Sequence, residues 1–217
     1  MQVISTERGN EMTLDLVHII VSNREYLSEI DGAIGDGDHG INMAKGFNLC
    51  AKAIEGRELS LSEGFEEISD ALMEGIGGSM GPLYGSFFTG MSDSISGKNA
   101  LSQHDFLAML QNGLSELQDI SSATVGDKCL MDTLIPEINA FESATNAGKD
   151  FKQALDAMQA AAIAGRDSTL DLVAKIGRAS RLGERSRGVL DAGATSCCLL
   201  LCQLAQSVEK HGAVANA

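Results

Sequence analysis

The 217-residue chain has no tryptophan, only two prolines (Pro82 and Pro136) and 4% aromatic residues. Runs of β-branched residues with a period of two are missing, which argues against a sheet-rich fold. No apolar run approaches the ~20 residues that a membrane-spanning helix needs, so a membrane protein is excluded. Basic residues are scarce: 16 Lys and Arg stand against 30 Asp and Glu, a formal net charge of −14. That balance argues against nucleic acid, whose phosphates call for a basic face. It does not exclude small phosphate ligands, because metal ions and main-chain N–H groups neutralise those. Met1–Asn10 lacks a basic stretch followed by an apolar one, so no secretory leader is expected and the expected location is the cytoplasm. The five cysteines are odd in number and form no CxxC pair. They read as reduced, mostly buried thiols rather than a disulfide framework or a zinc site.

What is present is helical. Ala, Leu, Met, Glu and Gln recur at three- and four-residue steps. Phe106, Leu107, Leu110, Leu114 and Leu117 form one such stripe, and Phe151, Ala154, Leu155, Met158 and Ala162 another; both read as core faces. The spacing predicts helices over 11–28, 40–55, 62–76, 82–96, 103–119, 130–146, 150–165 and 194–210, with a shorter helical piece over Leu170–Lys175. Their short connections favour antiparallel neighbours, so the expected fold is an all-α, eight-helix up-and-down bundle forming a single domain over 1–217.

Glycine is the anomaly. Its 24 residues concentrate at 32–40, 75–85, around Gly126, over 177–188 and at Gly193, all between expected helices. Glycine allows positive φ and close approach of backbone to a ligand. Alternate loops of an up-and-down bundle share an end, and that end is the candidate site.

The first such segment, Asp31-Gly32-Ala33-Ile34-Gly35-Asp36-Gly37-Asp38-His39-Gly40-Ile41-Asn42, holds three carboxylates within eight residues. Like charges this close repel unless a cation lies among them, and hard oxygen ligands suit Mg²⁺ or Ca²⁺. The plainer alternative is a solvated acidic turn with Asp38 as a helix N-cap. His39 stands at a helix start, where free N–H groups favour an anion; a structural histidine is the alternative. Gly77-Gly78-Ser79-Met80-Gly81-Pro82 has the character of a phosphate cradle but lacks the Walker lysine. In Gly126-Asp127-Lys128-Cys129-Leu130-Met131, Asp127 is expected to cap the next helix, and the apolar pair to line a pocket or pack in the core. Arg178, Arg181, Arg185 and Arg187 lie within ten residues of an otherwise acidic chain, which suggests binding of a phosphate or of a partner's acidic patch; a solvated basic loop is the alternative.

Together, GDGDHGINM, GGSMGPLYG, GDKCLMDTL and GRASRLGERSRGVLDAGATS resemble, in order and over essentially the whole chain, the signatures of the nucleotide-binding (L) subunit of dihydroxyacetone kinase, the DhaL family. The resemblance implies an eight-helix antiparallel barrel with ADP or ATP at one end. It implies that Asp31, Asp36 and Asp38 hold two Mg²⁺ ions, and that His39, Gly40, Ile41 and Asn42 form the phosphate-binding helix start. It further implies nucleotide contacts by Ser79, Met80, Arg178, Asp191, Ala192 and Gly193, with Leu130 beside the adenine where the family usually has Met. Three departures stand out: GDKCL for GDKTM, Ser121 at the position of a common glycine, and Asp191-Ala192-Gly193-Ala194 for DPGA.

The same resemblance implies a kinase subunit that supplies nucleotide and metal to a separate K subunit, which holds dihydroxyacetone or a related small ketose. It leaves open ADP as a fixed coenzyme recharged by a phosphotransferase-system protein, or ATP as an exchanging substrate. Oligomeric state, a homodimer included, is open. The alternatives of other classes are a nucleotide-sensing regulatory module without turnover and a helical scaffold with calcium-stabilised loops.

Overall fold

The computed structural model describes residues 3–212. The ends of the expected 1–217 unit, residues 1–2 and 213–217, lie outside the described residues. Among the described residues nine α-helices follow one another: α1 (Gly9–Ser22), α2 (Arg24–Ile34), α3 (His39–Ala53), α4 (Leu61–Gly75), α5 (Met80–Ile95), α6 (Gln103–Ile120), α7 (Met131–Asn146), α8 (Phe151–Ser168) and α9 (Ala192–His211). Successive helices from α2 to α9 pack side by side, and α9 returns against α1, which closes the ring. No helix among the described residues is long and apolar enough to cross a membrane.

The all-α expectation holds, with three corrections. The helix expected over 11–28 is two: the chain breaks at Asn23, whose side-chain amide donates to the carbonyl of Ile19. Its second part, α2, runs on into the acidic segment because Leu27, Ile30 and Ile34 keep an inward stripe. Leu170–Lys175 is turn and irregular chain, and the short helix lies later, a 3-10 segment over Arg178–Ser186. An antiparallel ribbon of β1 (Val3–Ser5) and β2 (Ala100–Ser102) joins the start of the chain to the α5–α6 connection. Three residues per strand are too few to show a period in the sequence.

The core is continuous. Phe47, Phe65, Phe87 and Phe88 make one aromatic cluster, and Phe106, Phe141 and Phe151 another. The two expected stripes face inward, with Leu114 only partly buried. All five cysteines are free.

Capping differs between the two ends of the ring. α4, α6 and α8 begin with complete capping boxes, Ser60/Glu63, Ser102/Asp105 and Asp150/Gln153. α3, α5 and α7, which start at the opposite end, receive no side-chain cap from their own N-cap residues Asp38, Ser79 and Leu130. At the start of α5 this leaves first-turn main-chain donors to an anion.

Candidate functional site

At the weakly capped end, the loops converge on one cavity of about 530 Å³. The last turn of α2 supplies Asp31, and the loop that follows carries Asp36 and Asp38 back beside it. One carboxylate oxygen from each of the three lies within 4.8 Å of the others. Two glycines make that return possible: Gly37 has φ +78°, and a Cβ on Gly35 would lie 2.5 Å from Asp31 Oδ1. Three gathered oxygen donors, partly exposed and without sulfur or imidazole among them, suit a hard divalent cation such as Mg²⁺. The Arg178 guanidinium is paired with Asp36.

The N–H of His39 is donated to Asp31 Oδ2 at 3.2 Å, so α3 takes its cap from eight residues upstream and not from Asp38. The His39 ring turns inward. Its Nε2 lies 3.0 Å from Ser196 Oγ, and Ser196 Oγ lies 2.7 Å from the Tyr84 hydroxyl. Tyr84 and Ser196 both donate to the carbonyl of Gly193. One buried network thus ties the starts of α3 and α9 to α5. Burial pulls the His39 ring down to about 4, the nearby Asp31 charge opposing it, so the ring is neutral at pH 7.

Asp191 caps α9, accepting from the N–H of Ala194 at 2.7 Å. Its burial pushes the carboxyl up to about 6. Asp127 does not cap α7. It accepts from Thr124 N, while Asp132 accepts from the N–H groups of Gly126 and Cys129 and folds the loop. Ser79, Met80, Ser121, Leu130, Ala192 and Gly193 line the cavity, with Ile34, Leu83, Met131 and Ile176 adding apolar surface.

Of the residues expected at the site, Gly40 and Ile41 are not on the cavity wall. Gly40 packs α3 against α2, where a Cβ would meet the Arg24 carbonyl at 2.0 Å. Ile41 points outward, 47% exposed. Of the four clustered arginines, Arg178 lines the cavity. Sequence reasoning gave no role to Lys128 or Cys129, yet both reach the wall. Burial pushes the Cys129 thiol up to about 12, so it is a neutral wall group. The ammonium of Lys128 is enclosed by main-chain carbonyls distant in sequence, and no local pattern signals that.

The model of a family described as the DAK2 domain matches residues 33–206. The PEP-dependent dihydroxyacetone kinase 2, ADP-binding subunit DhaL, of Listeria innocua is 36% identical, over 90% of this chain and 92% of that one. The PTS-dependent dihydroxyacetone kinase, ADP-binding subunit DhaL, of Lactococcus lactis is 39% identical, over 83% of this chain and 86% of that one. Among solved structures, the native dihydroxyacetone kinase of C. freundii superposes with a TM-score of 0.69 at 25% identity, over 92% of this chain and 34% of that one.

Proposed function

The chain belongs to the DAK2 domain family, and from that premise we propose that it is the ADP- and magnesium-binding subunit of a dihydroxyacetone kinase or of a kinase for a related small ketose. It acts as one nucleotide-binding unit in the cytoplasm, paired with a separate K subunit that holds the ketose. One observation carries this reading. Three carboxylates gather on the same cavity as the starts of α3 and α5, whose own N-cap side chains make no cap. Carboxylates repel a polyphosphate, and helix starts attract it. Both on one wall make sense when divalent cations lie between them.

Asp31, Asp36 and Asp38 would hold two Mg²⁺ ions, which neutralise charge on phosphate oxygens during phosphoryl transfer. The Asn42 side chain, on the cavity wall, and the main chain at Ser79–Met80 would receive the phosphates. Arg178 pairs with Asp36 in the structure and supplies positive charge to a phosphate from the same place. Leu130, Met131 and Ile176 offer the apolar surface that a purine needs, and Ser121 and the Asp191–Gly193 turn close the wall. A cavity of about 530 Å³ falls within the range of small-ligand sites, roughly 300–1,000 Å³. The residues described here position and neutralise; the group that accepts the ketose proton belongs to the partner.

The relatives named as PEP- and PTS-dependent favour ADP as a resident coenzyme recharged by a phosphotransferase-system protein. The test has two stages. Calorimetric titration should show ADP binding that requires Mg²⁺, with a raised melting temperature when both are present. Mass spectrometry of gently purified, then denatured protein should release stoichiometric ADP. A coupled assay with the K subunit then separates the readings: ketose phosphorylation supports the kinase, and its absence with every phosphoryl donor leaves a nucleotide-sensing module. A melting temperature indifferent to nucleotide in metal-loaded protein would sink both.

A further inference from the structure

Between α8 and α9 the chain runs past the cavity as a strap, Thr169–Leu190, whose helical content is the 3-10 segment. Ile176, Gly177, Arg178 and Ala179, in its middle, line the cavity. Its two feet converge on one side chain. The Nζ of Lys128 donates to the carbonyls of Thr169 (2.8 Å) and Leu172 (3.1 Å) at the first foot, and of Ser186 (2.6 Å) and Val189 (2.6 Å) at the second. Lys128 is 2% exposed and holds φ +63°, left-handed backbone that a lysine rarely adopts. Four acceptors surround three protons, so the ammonium has none left for a phosphate. The loop that carries Lys128 also accepts the strap's Lys175 N–H on the Asp127 carbonyl at 3.0 Å.

We propose that Lys128 is a positioning residue: its ammonium pins both feet of the strap, thereby holds Arg178 over the cavity, and so sets the affinity for a magnesium–nucleoside diphosphate without touching it. This rests on the function proposed above. Without the ammonium, four carbonyl oxygens point at one another with no donor, which disfavours the closed strap. Where the competent arrangement is populated only about one part in ten, apparent affinity falls about tenfold.

The test uses the full chain. In wild-type protein, acetic anhydride labelling read by mass spectrometry should find Lys128 slow to react with and without Mg·ADP. Lys128→Met removes the charge at similar volume, and Lys128→Gly keeps the left-handed backbone. Both should bind Mg·ADP about tenfold more weakly while melting cooperatively, and both should be cut faster by trypsin after Arg178, Arg181, Arg185 and Arg187. Butylammonium should restore affinity and trypsin resistance to Lys128→Gly, and butanol should not. Wild-type affinity in both variants overturns the proposal, as does loss of affinity that butylammonium does not mend. Fast acetylation of Lys128 in nucleotide-free protein, suppressed by Mg·ADP, overturns it too, because that is the behaviour of a phosphate ligand. Should neither variant fold, wild-type protein decides: Mg·ADP must slow tryptic cleavage of the strap while Lys128 stays unreactive throughout, and either failure overturns the proposal. If wild-type protein binds no Mg·ADP, the proposed function fails, whereas the labelling and trypsin results still report on the clamp.

Discussion

Asp31 accepts the main-chain N–H of His39 at 3.2 Å, so one carboxylate both caps α3 and faces Asp36 and Asp38. Its two neighbours cap no helix, Asp36 instead forming an exposed pair with Arg178, and that difference separates their variants. Asp36→Ala removes a repelling charge from an exposed position and should leave the melting temperature nearly unchanged. Asp31→Ala should cost about 1 kcal/mol as a lost cap, a fall of roughly 2–4 °C for a chain of this size. Both should abolish Mg²⁺-dependent ADP binding. Calorimetry with and without the metal checks both halves; metal-dependent binding that survives Asp36→Ala would count against the metal assignment.

The hydroxyl of Tyr84, 2.7 Å from Ser196 Oγ and 3.2 Å from the Gly193 carbonyl, is fully buried beside the neutral His39 ring. Burial holds the phenol protonated, well above its ordinary range. Tyr84→Phe keeps the ring and deletes these bonds. The expected cost is about 1 kcal/mol of stability, the usual net worth of such a bond. Affinity for Mg·ADP should also fall, by roughly three- to tenfold, since the starts of α3 and α9 lose a shared tether. Thermal melts and titration calorimetry measure the two effects separately.

Gly40 and Ile41 offer a contrast within one motif. A Cβ at residue 40 would lie 2.0 Å from the Arg24 carbonyl and 2.7 Å from Ser28 Oγ. Gly40→Ala therefore forces α3 away from α2 and should destabilise the protein by about 3 kcal/mol or more. Ile41→Ala trims an exposed side chain and should change neither melting temperature nor Mg·ADP affinity. Equal behaviour of the two variants would contradict the packing described above.

The sequence made the helical ring and the meeting of the glycine-rich loops readable, because both follow from local pattern. Stripes such as Phe106, Leu110 and Leu117 mark inward faces, and alternate loops of an antiparallel ring must share an end. Asp31, Asp36 and Asp38 were readable because three like charges in one short segment need an explanation. What stayed hidden depends on distant partners. The break at Asn23 involves neither glycine nor proline. The β1–β2 ribbon pairs segments almost a hundred residues apart through three residues each. The cap on α3 comes from Asp31, where local capping rules point to Asp38. Lys128 belongs to a motif readable in the sequence, but its role depends on four carbonyls that only the folded strap brings to it.

Glu137 lies fully buried on α7, and neither carboxyl oxygen has a hydrogen-bond partner among the described residues. The titratable groups around it are Cys197, Cys198 and Cys202 on α9 and Tyr84 on α5, none of them a cation. Burial first, and the Cys198 thiol second, push the carboxyl well above its ordinary 4.5. The sign of the pH dependence follows. Between the unfolded and the folded pKa the folded state holds the extra proton, so stability is greatest below about 4.5 and falls as pH rises toward the folded value. Glu137→Leu replaces this group with an apolar side chain of similar size. At neutral pH it should stabilise the protein by about 1 kcal/mol or more, a rise of roughly 2–4 °C. The gain over wild type should shrink as pH approaches 4.5. Melting curves of both proteins from acid to neutral pH provide the check. A gain independent of pH would mean that the carboxyl is not the source of the strain, and a loss at neutral pH would mean that Glu137 has a partner in the folded protein.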